Sequence, residues 1–126
     1  MEVKTCLRDE RYTLVEFQAE GKSYVFLYDA DQRSLFLGQE TQAIDLTAFW
    51  EKHRRDETYC LPCEIMLCFE KRWVFAPDYP PVELGMDTNT ARALIESLSQ
   101  LLIGSFRLPA FPPDDRPRTQ SVWRWP

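Results

Sequence analysis

The stretch YTLVEFQAEGKSYVFLYDADQRSLFL, residues 12–37, decides the fold of this chain. It contains three segments that are predicted to be strands, residues 12–18, 23–28 and 34–37, and the β-branched and aromatic content of the first fits a strand better than a helix. Gly21, which accepts the positive φ of a tight turn, and the polar run of residues 29–33 separate them. The pattern predicts a meander of short antiparallel strands, and residues 2–7 are expected to add an edge strand.

Two later segments have the periodicity of amphipathic helices. The first is expected to begin at Asp45, whose carboxylate can cap the free amides of a first turn, and to end near Asp56. The second is expected to be capped by Asp87 or Thr88 and to end near Gly104. The apolar stripes of the two helices are Leu46, Phe49, Trp50 and His53, and then Ala91, Leu94, Ile95, Leu98, Leu101 and Leu102.

The segment between these helices alternates as a strand does. Thr58–Phe69 is predicted to be a strand, with Pro62 placing its start at a sheet edge or a bulge because proline lacks an N–H. Residues 73–76 are expected to pair back as a hairpin that the prolines of residues 77–81 end. The predicted fold class is therefore α+β, with an antiparallel meander and hairpin forming one sheet packed by two helices on one face.

The end of the chain differs in composition from the rest. Residues 108–126 hold five of the nine prolines, and they also carry Phe111, Trp123 and Trp125. Proline excludes regular secondary structure over most of this segment, but a simple disordered linker seldom holds so many aromatic residues. We therefore predict one α+β domain over residues 1–106 and a proline-rich extended tail over residues 107–126, docked on the body or on a partner.

Composition and charge exclude several classes of protein. A chain that is 44% hydrophobic and 13% aromatic is not wholly disordered, and it has no apolar run of the roughly 18–20 residues that a membrane span requires. The net charge is −5 overall and −7 over residues 1–106. This balance argues against nucleic acid as a partner and favours a partner with a basic surface.

The N-terminal residues and the cysteines predict the compartment. Residues 1–10 lack a basic segment followed by an apolar stretch, so we expect no signal peptide and a cytoplasmic location. The four cysteines are then expected to be reduced thiols.

The cysteines form the strongest candidate for a chemical site. Cys60-Leu61-Pro62-Cys63 resembles the Cys-x-x-Cys motif of thioredoxin-like redox sites, in which a thiolate attacks disulfides. The context argues against that function, because no buried apolar strand precedes the motif and a strand rather than a helix is predicted after it. The alternative is a zinc site in which Cys60, Cys63 and Cys68 are joined by His53 or Cys6.

The remaining motifs identify no enzyme. His53, the only histidine, lies on the apolar stripe of the first helix, where a structural role is favoured over a catalytic one. The sequence contains no nucleophile elbow, phosphate-binding glycine loop or His-Glu-x-x-His motif. We therefore expect no catalytic residues, no cofactor and no enzymatic activity, with zinc as the alternative cofactor.

The function that these features favour is protein recognition. The order of elements resembles that of small acidic secretion chaperones and bacterial immunity proteins, which implies an inhibitor, adaptor or chaperone. Tryptophan and arginine are favoured at the centres of protein interfaces. The predicted contact residues are Trp123, Arg124, Trp125, Tyr79 and Phe111, and a homodimer is an alternative to a different partner. A cysteine-centred zinc or dithiol protein is the alternative function.

Overall fold

The computed structural model describes residues 1–102 of the chain. Six strands form one antiparallel sheet in the order β1-β2-β3-β4-β5-β6, so every strand pairs with its neighbour in sequence. The predicted antiparallel sheet packed by helices is confirmed. The elements are β1 Glu2–Arg8, β2 Tyr12–Ala19, β3 Lys22–Asp29, β4 Ser34–Gln39, α1 Leu46–Arg55, α2 Leu61–Met66, β5 Lys71–Ala76, β6 Tyr79–Leu84 and α3 Thr88–Leu101.

The meander is held by local turn chemistry. Glu20 and Gly21 both have positive φ, at 54° and 76°, which matches a two-residue turn between β2 and β3. Asp29 organises the next turn, since its Oδ1 accepts hydrogen bonds from the amides of Asp31 and Gln32. Both turns lie where the polar residues between the apolar segments predict them.

Helices cover both faces of the sheet. Side chains alternate along β2, so that Leu14 packs beneath α1 and α2 whereas Val15 packs beneath α3. The expectation that helices lie on one face is wrong. The central strands are apolar on both sides, as the nearly continuous burial of β2 shows, and two exposed apolar faces would leave a large hydrophobic area in water.

The segment predicted to be a strand over Thr58–Phe69 instead contains helix α2. Leu61 and Ile65, the buried residues of α2, and Phe69 after it are spaced by four, which fits a helix as well as an alternating strand. Pro62 lies in the first turn, where the missing N–H costs no hydrogen bond. Arg72 donates from Nη1 to the carbonyls of Met66 and Phe69 at 2.7 and 3.2 Å, which satisfies the end of the helix.

The proline-rich stretch after β5 forms a strand rather than ending the sheet. β6 contains Pro80 and Pro81, and it is the outermost strand beside β5. An edge strand tolerates proline because one side of its backbone needs no partner. β1 forms the opposite edge, as predicted.

The predicted tail, residues 107–126, lies outside the described residues, as does the end of the predicted domain. Within residues 1–102, none of the helices combines the length and the apolar character needed to cross a membrane.

Candidate functional site

The predicted protein-contact residues are placed only in part. Tyr79 begins the edge strand β6 and is 45% exposed, and Leu84 ends the same strand and is 47% exposed. Asp78 and Glu83 are exposed beside them. The other predicted contact residues, Phe111, Trp123, Arg124 and Trp125, lie outside the described residues.

Cys60 and Cys63 are joined by a disulfide at the start of α2. Their Cα atoms are 5.3 Å apart, and both residues are exposed. Cys60 is the N-cap of the helix, and the amide of Cys63 donates a hydrogen bond to its Sγ at 3.4 Å. The expectation of four reduced thiols is therefore wrong for this pair. The physical reason is that the first turn of a helix brings residues three apart onto one side of the backbone.

The other two cysteines are free thiols. Cys68 is half-buried and donates from Sγ to the carbonyl of Glu64 at 3.5 Å, and Cys6 is on β1. Burial raises the pKa of Cys68, with a contribution from Glu64, and burial likewise raises the pKa of Cys6 against the effect of Arg8. Both groups are therefore held as neutral thiols, which are poor nucleophiles.

The ligands of the alternative zinc site are not brought together. His53 lies on α1, where its Nε2 is 2.7 Å from Oδ2 of Asp9, and its ring packs edge-on against Tyr12. Cys60 and Cys63 bond to each other, so neither offers a thiolate. Across the described part of the chain, no three side chains of histidine, cysteine, aspartate or glutamate cluster closely enough to hold a metal ion.

The Asp9–His53 pair connects a turn to a helix. Burial alone would raise the pKa of Asp9, but hydrogen bonds from the Tyr12 amide, from His53 and from the Arg11 amide outweigh burial and lower it. The amide bonds are 2.7 Å from Tyr12 and 2.9 Å from Arg11. Asp9 therefore fixes the β1–β2 turn and fastens it to α1, which is the structural role that the sequence favours for His53.

A second polar pair lies at the far side of the same turn. Asp29 is buried, and its two oxygens accept from Nε and Nη2 of Arg11 at 3.0 and 3.1 Å. The guanidinium also lies over the ring of Tyr12, 4.9 Å from its centre. A bidentate pair of this kind is directional, so it locks the β1–β2 turn to the end of β3.

A pair of carboxyl groups that the sequence pattern did not predict lies on the sheet face covered by α1 and α2. Glu40 follows β4 directly, and its carboxyl is hydrogen-bonded to Glu16 of β2. Burial, this hydrogen bond and the charge of Glu16 raise the pKa of Glu40 to about 7, although Lys4 opposes the shift. The signal in the sequence was Glu16, the one charged residue of β2.

The stability of the protein is expected to fall as the pH rises through neutrality. The folded-state pKa of Glu40 lies above its ordinary value of 4.5, so the fold favours the protonated form. The resulting stabilisation is complete below the unfolded-state pKa and is lost as the pH rises through about 7. Glu40→Gln, which mimics the protonated carboxyl, is expected to remove this dependence and to be more stable than the wild type at alkaline pH.

Urea unfolding of the wild type and Glu40→Gln from about pH 5 to about pH 8 measures this difference. Glu2→Gln, which replaces an exposed glutamate of β1, is the control and should keep the wild-type slope. Parallel pH profiles for the wild type and Glu40→Gln would contradict the raised pKa of Glu40.

Taken together, these observations define an α+β protein with a six-stranded meander sheet covered by helices on both faces, an exposed Cys-x-x-Cys disulfide and an apolar edge strand. The chain matches no family model, no curated protein and no solved structure.

Proposed function

We propose that the protein is a small acidic protein-binding module that acts without catalysis, as an inhibitor, adaptor or chaperone of another protein. One observation carries the proposal. Two large apolar side chains, Tyr79 and Leu84, are exposed on the outermost strand although the central strands are covered on both faces. Exposed apolar side chains on an edge strand, with acidic neighbours, favour a protein contact.

The chemistry of this edge indicates the kind of partner. Asp78 and Glu83 are exposed next to the two apolar residues, and residues 1–106 carry a net charge of −7. Opposite charge steers association and fixes orientation, whereas the apolar side chains supply the binding energy. A partner with apolar residues surrounded by lysine or arginine would therefore fit this surface.

The edge strand itself limits how the partner binds. Pro80 and Pro81 remove two N–H groups from β6. A partner strand cannot extend the sheet over that part of the edge by regular pairing. The partner is therefore bound by the side chains of β6 rather than by pairing of a strand with its backbone. The tail supplies the second part of the proposed contact through Phe111, Trp123, Arg124 and Trp125.

Affinity capture from cells of the source organism tests the proposal. Tyr79→Ala/Leu84→Ser is expected to lower recovery of the specific partner by roughly tenfold or more, since central interface aromatics typically contribute 2 kcal/mol or more. Leu67→Ser is the control, because Leu67 is an equally apolar and 78% exposed residue that lies outside β6. Deletion of residues 108–126 is expected to abolish capture while the body remains folded.

Binding of the recovered partner to purified protein, measured by calorimetry, separates specific from incidental capture. The wild type and Leu67→Ser should bind with the same Kd, and the β6 variant should bind more weakly. If the wild type, the β6 variant and the tail deletion bind equally, the proposed surface is wrong.

A further inference from the structure

The Cys60–Cys63 disulfide does not have the features of a structural cross-link. It closes a loop with a sequence separation of only three residues, and short loops gain the least from covalent closure. Helix α2 is anchored independently of the disulfide. Leu61 and Ile65 are fully buried, and Arg72 bonds the carbonyl of Met66 at the other end of the helix. Opening the S–S bond therefore leaves the contacts that hold α2 in place.

The same geometry keeps the two sulfurs together after reduction. Because Cys60 caps the helix and Cys63 lies in its first turn, the backbone alone sets their Cα separation at 5.3 Å. This separation is within the range that a disulfide requires. Re-formation of the bond is then an intramolecular step between prepositioned groups.

Access distinguishes this pair from Cys68, whereas Cys6 is exposed as well but is a single thiol whose pKa burial raises. Cys60 and Cys63 are both exposed, so an attacking thiolate can reach the S–S bond. Cys68 is half-buried and hydrogen-bonded to the Glu64 carbonyl. Within the pair, Cys60 Sγ accepts the hydrogen bond from the amide of Cys63, and such a bond stabilises a thiolate more than a neutral sulfur.

We propose that Cys60 and Cys63 form a reversible thiol–disulfide exchange site that reacts with dithiols. A thiolate of the incoming dithiol attacks Sγ of Cys63, which forms a mixed disulfide and breaks the Cys60–Cys63 bond. The electron pair of that bond leaves with Cys60 as a thiolate that the Cys63 amide stabilises. The second thiolate of the reductant attacks its own sulfur in the mixed disulfide and releases Cys63.

The balance of the reaction is two electrons and two protons. The protein disulfide becomes two thiols, and the dithiol becomes a disulfide. In the reverse direction the Cys63 thiolate attacks a disulfide and forms the mixed disulfide, and the Cys60 thiolate then attacks Sγ of Cys63 and displaces the partner sulfur. This activity is independent of the proposed binding surface on β6.

Redox titration of the Cys6→Ser/Cys68→Ser variant tests the proposal, because this variant retains only the two cysteines of the site. The protein is equilibrated with mixtures of reduced and oxidised dithiothreitol, quenched in acid, alkylated and weighed by mass spectrometry. We expect one transition in which two alkylated thiols appear together, with the circular dichroism spectrum unchanged. Thiols that form only when the protein is unfolded, or a reduced pair that oxidised dithiothreitol fails to join, would overturn the proposal.

Two single-cysteine proteins test the assigned roles. In the background that lacks Cys6 and Cys68, Cys63→Ser leaves Cys60 alone and Cys60→Ser leaves Cys63 alone. With glutathione disulfide near neutral pH, Cys60 is expected to form a mixed disulfide about threefold faster than Cys63, because the hydrogen bond from the Cys63 amide favours the Cys60 thiolate while its nucleophilicity falls only in part. Equal rates, or a faster Cys63, would overturn the assignment of Cys60 as the stabilised thiolate.

Discussion

Trp73→Ala is expected to lower the free energy of unfolding by about 3–5 kcal/mol, which is the cost of truncating a fully buried tryptophan. Trp73 is 0% exposed in the middle of β5, and its ring stacks on Phe75 with centres 6.0 Å apart. Its Nε1 donates to Oγ1 of Thr88 at 3.1 Å, and that hydroxyl donates to Glu83. The side chain thus connects the sheet to the beginning of α3, and its removal leaves a cavity between them.

Urea unfolding followed by circular dichroism measures this loss, because the remaining tryptophans complicate fluorescence. Trp73→Phe is the matched variant, since it keeps an aromatic ring beside Phe75. It replaces the two fused rings of the indole by a single ring and removes the N–H. We expect it to be destabilised less than Trp73→Ala. Thr88→Val is expected to cost about 1–3 kcal/mol, because it removes the hydroxyl that accepts the hydrogen bond from the indole N–H. A Trp73→Ala protein as stable as the wild type would show that α3 does not pack on β5 as described.

Gly38→Ala is expected to destabilise the protein by about 1–3 kcal/mol through overpacking. A Cβ atom at position 38 would lie 2.6 Å from Cγ and Cδ1 of Phe69 and 2.9 Å from Cζ of Phe36. Both rings are buried, at 2% and 3% exposure, so neither can move away into solvent. Phe69 lies three residues after the end of α2, and its ring packs in the same cluster as Leu61 and Ile65 of that helix.

A double-mutant cycle with Phe69→Ala distinguishes this clash from an unfavourable effect of alanine on the strand itself. Phe69→Ala removes Cγ and Cδ1, the atoms that the new methyl group would meet, so the cost of Gly38→Ala should be smaller in the Phe69→Ala background. Free energies from urea unfolding of all four proteins give the coupling. Additive losses would mean that the Phe69 ring does not constrain position 38.

The meander was predictable because its evidence is local. β2 and β3 are short runs rich in β-branched and aromatic residues, β4 is a short apolar run, and each turn contains Gly21 or a group of polar residues. The caps of the helices were predictable for the same reason. Asp45 and Asp87 each accept a hydrogen bond from the amide three residues later, at 3.1 and 2.7 Å.

Helix α2 was not predictable from apolar spacing alone. A spacing of four residues, as in Leu61, Ile65 and Phe69, satisfies both the period of a strand and that of a helix. Pro62 was consistent with an edge strand or with the first turn of a helix, and packing against α1 and the sheet favoured the helix. The wrong prediction of a strand here also affected the interpretation of the cysteines. A strand would place Cys60 and Cys63 on opposite faces, whereas the first turn of a helix brings them close enough to bond.

The residues of the candidate sites also differ in whether the sequence alone indicates them. The residues of the Cys-x-x-Cys motif are visible in the sequence, as is Tyr79 in a proline-rich segment. The pairing of Glu16 with Glu40 is not visible in the sequence, since the two residues are far apart in the chain and their carboxyl groups meet only in the assembled sheet.

From its amino-acid order alone, this chain specifies the strands of the meander, the two capped helices and the position of the Cys-x-x-Cys motif, because each depends on a few neighbouring residues. Tertiary structure decided that helices cover both faces, that residues 61–66 are helical and that Cys60 is bonded to Cys63. These outcomes depend on which apolar surfaces meet when the sheet is assembled, and burial of both faces outweighs the local preferences of any one segment.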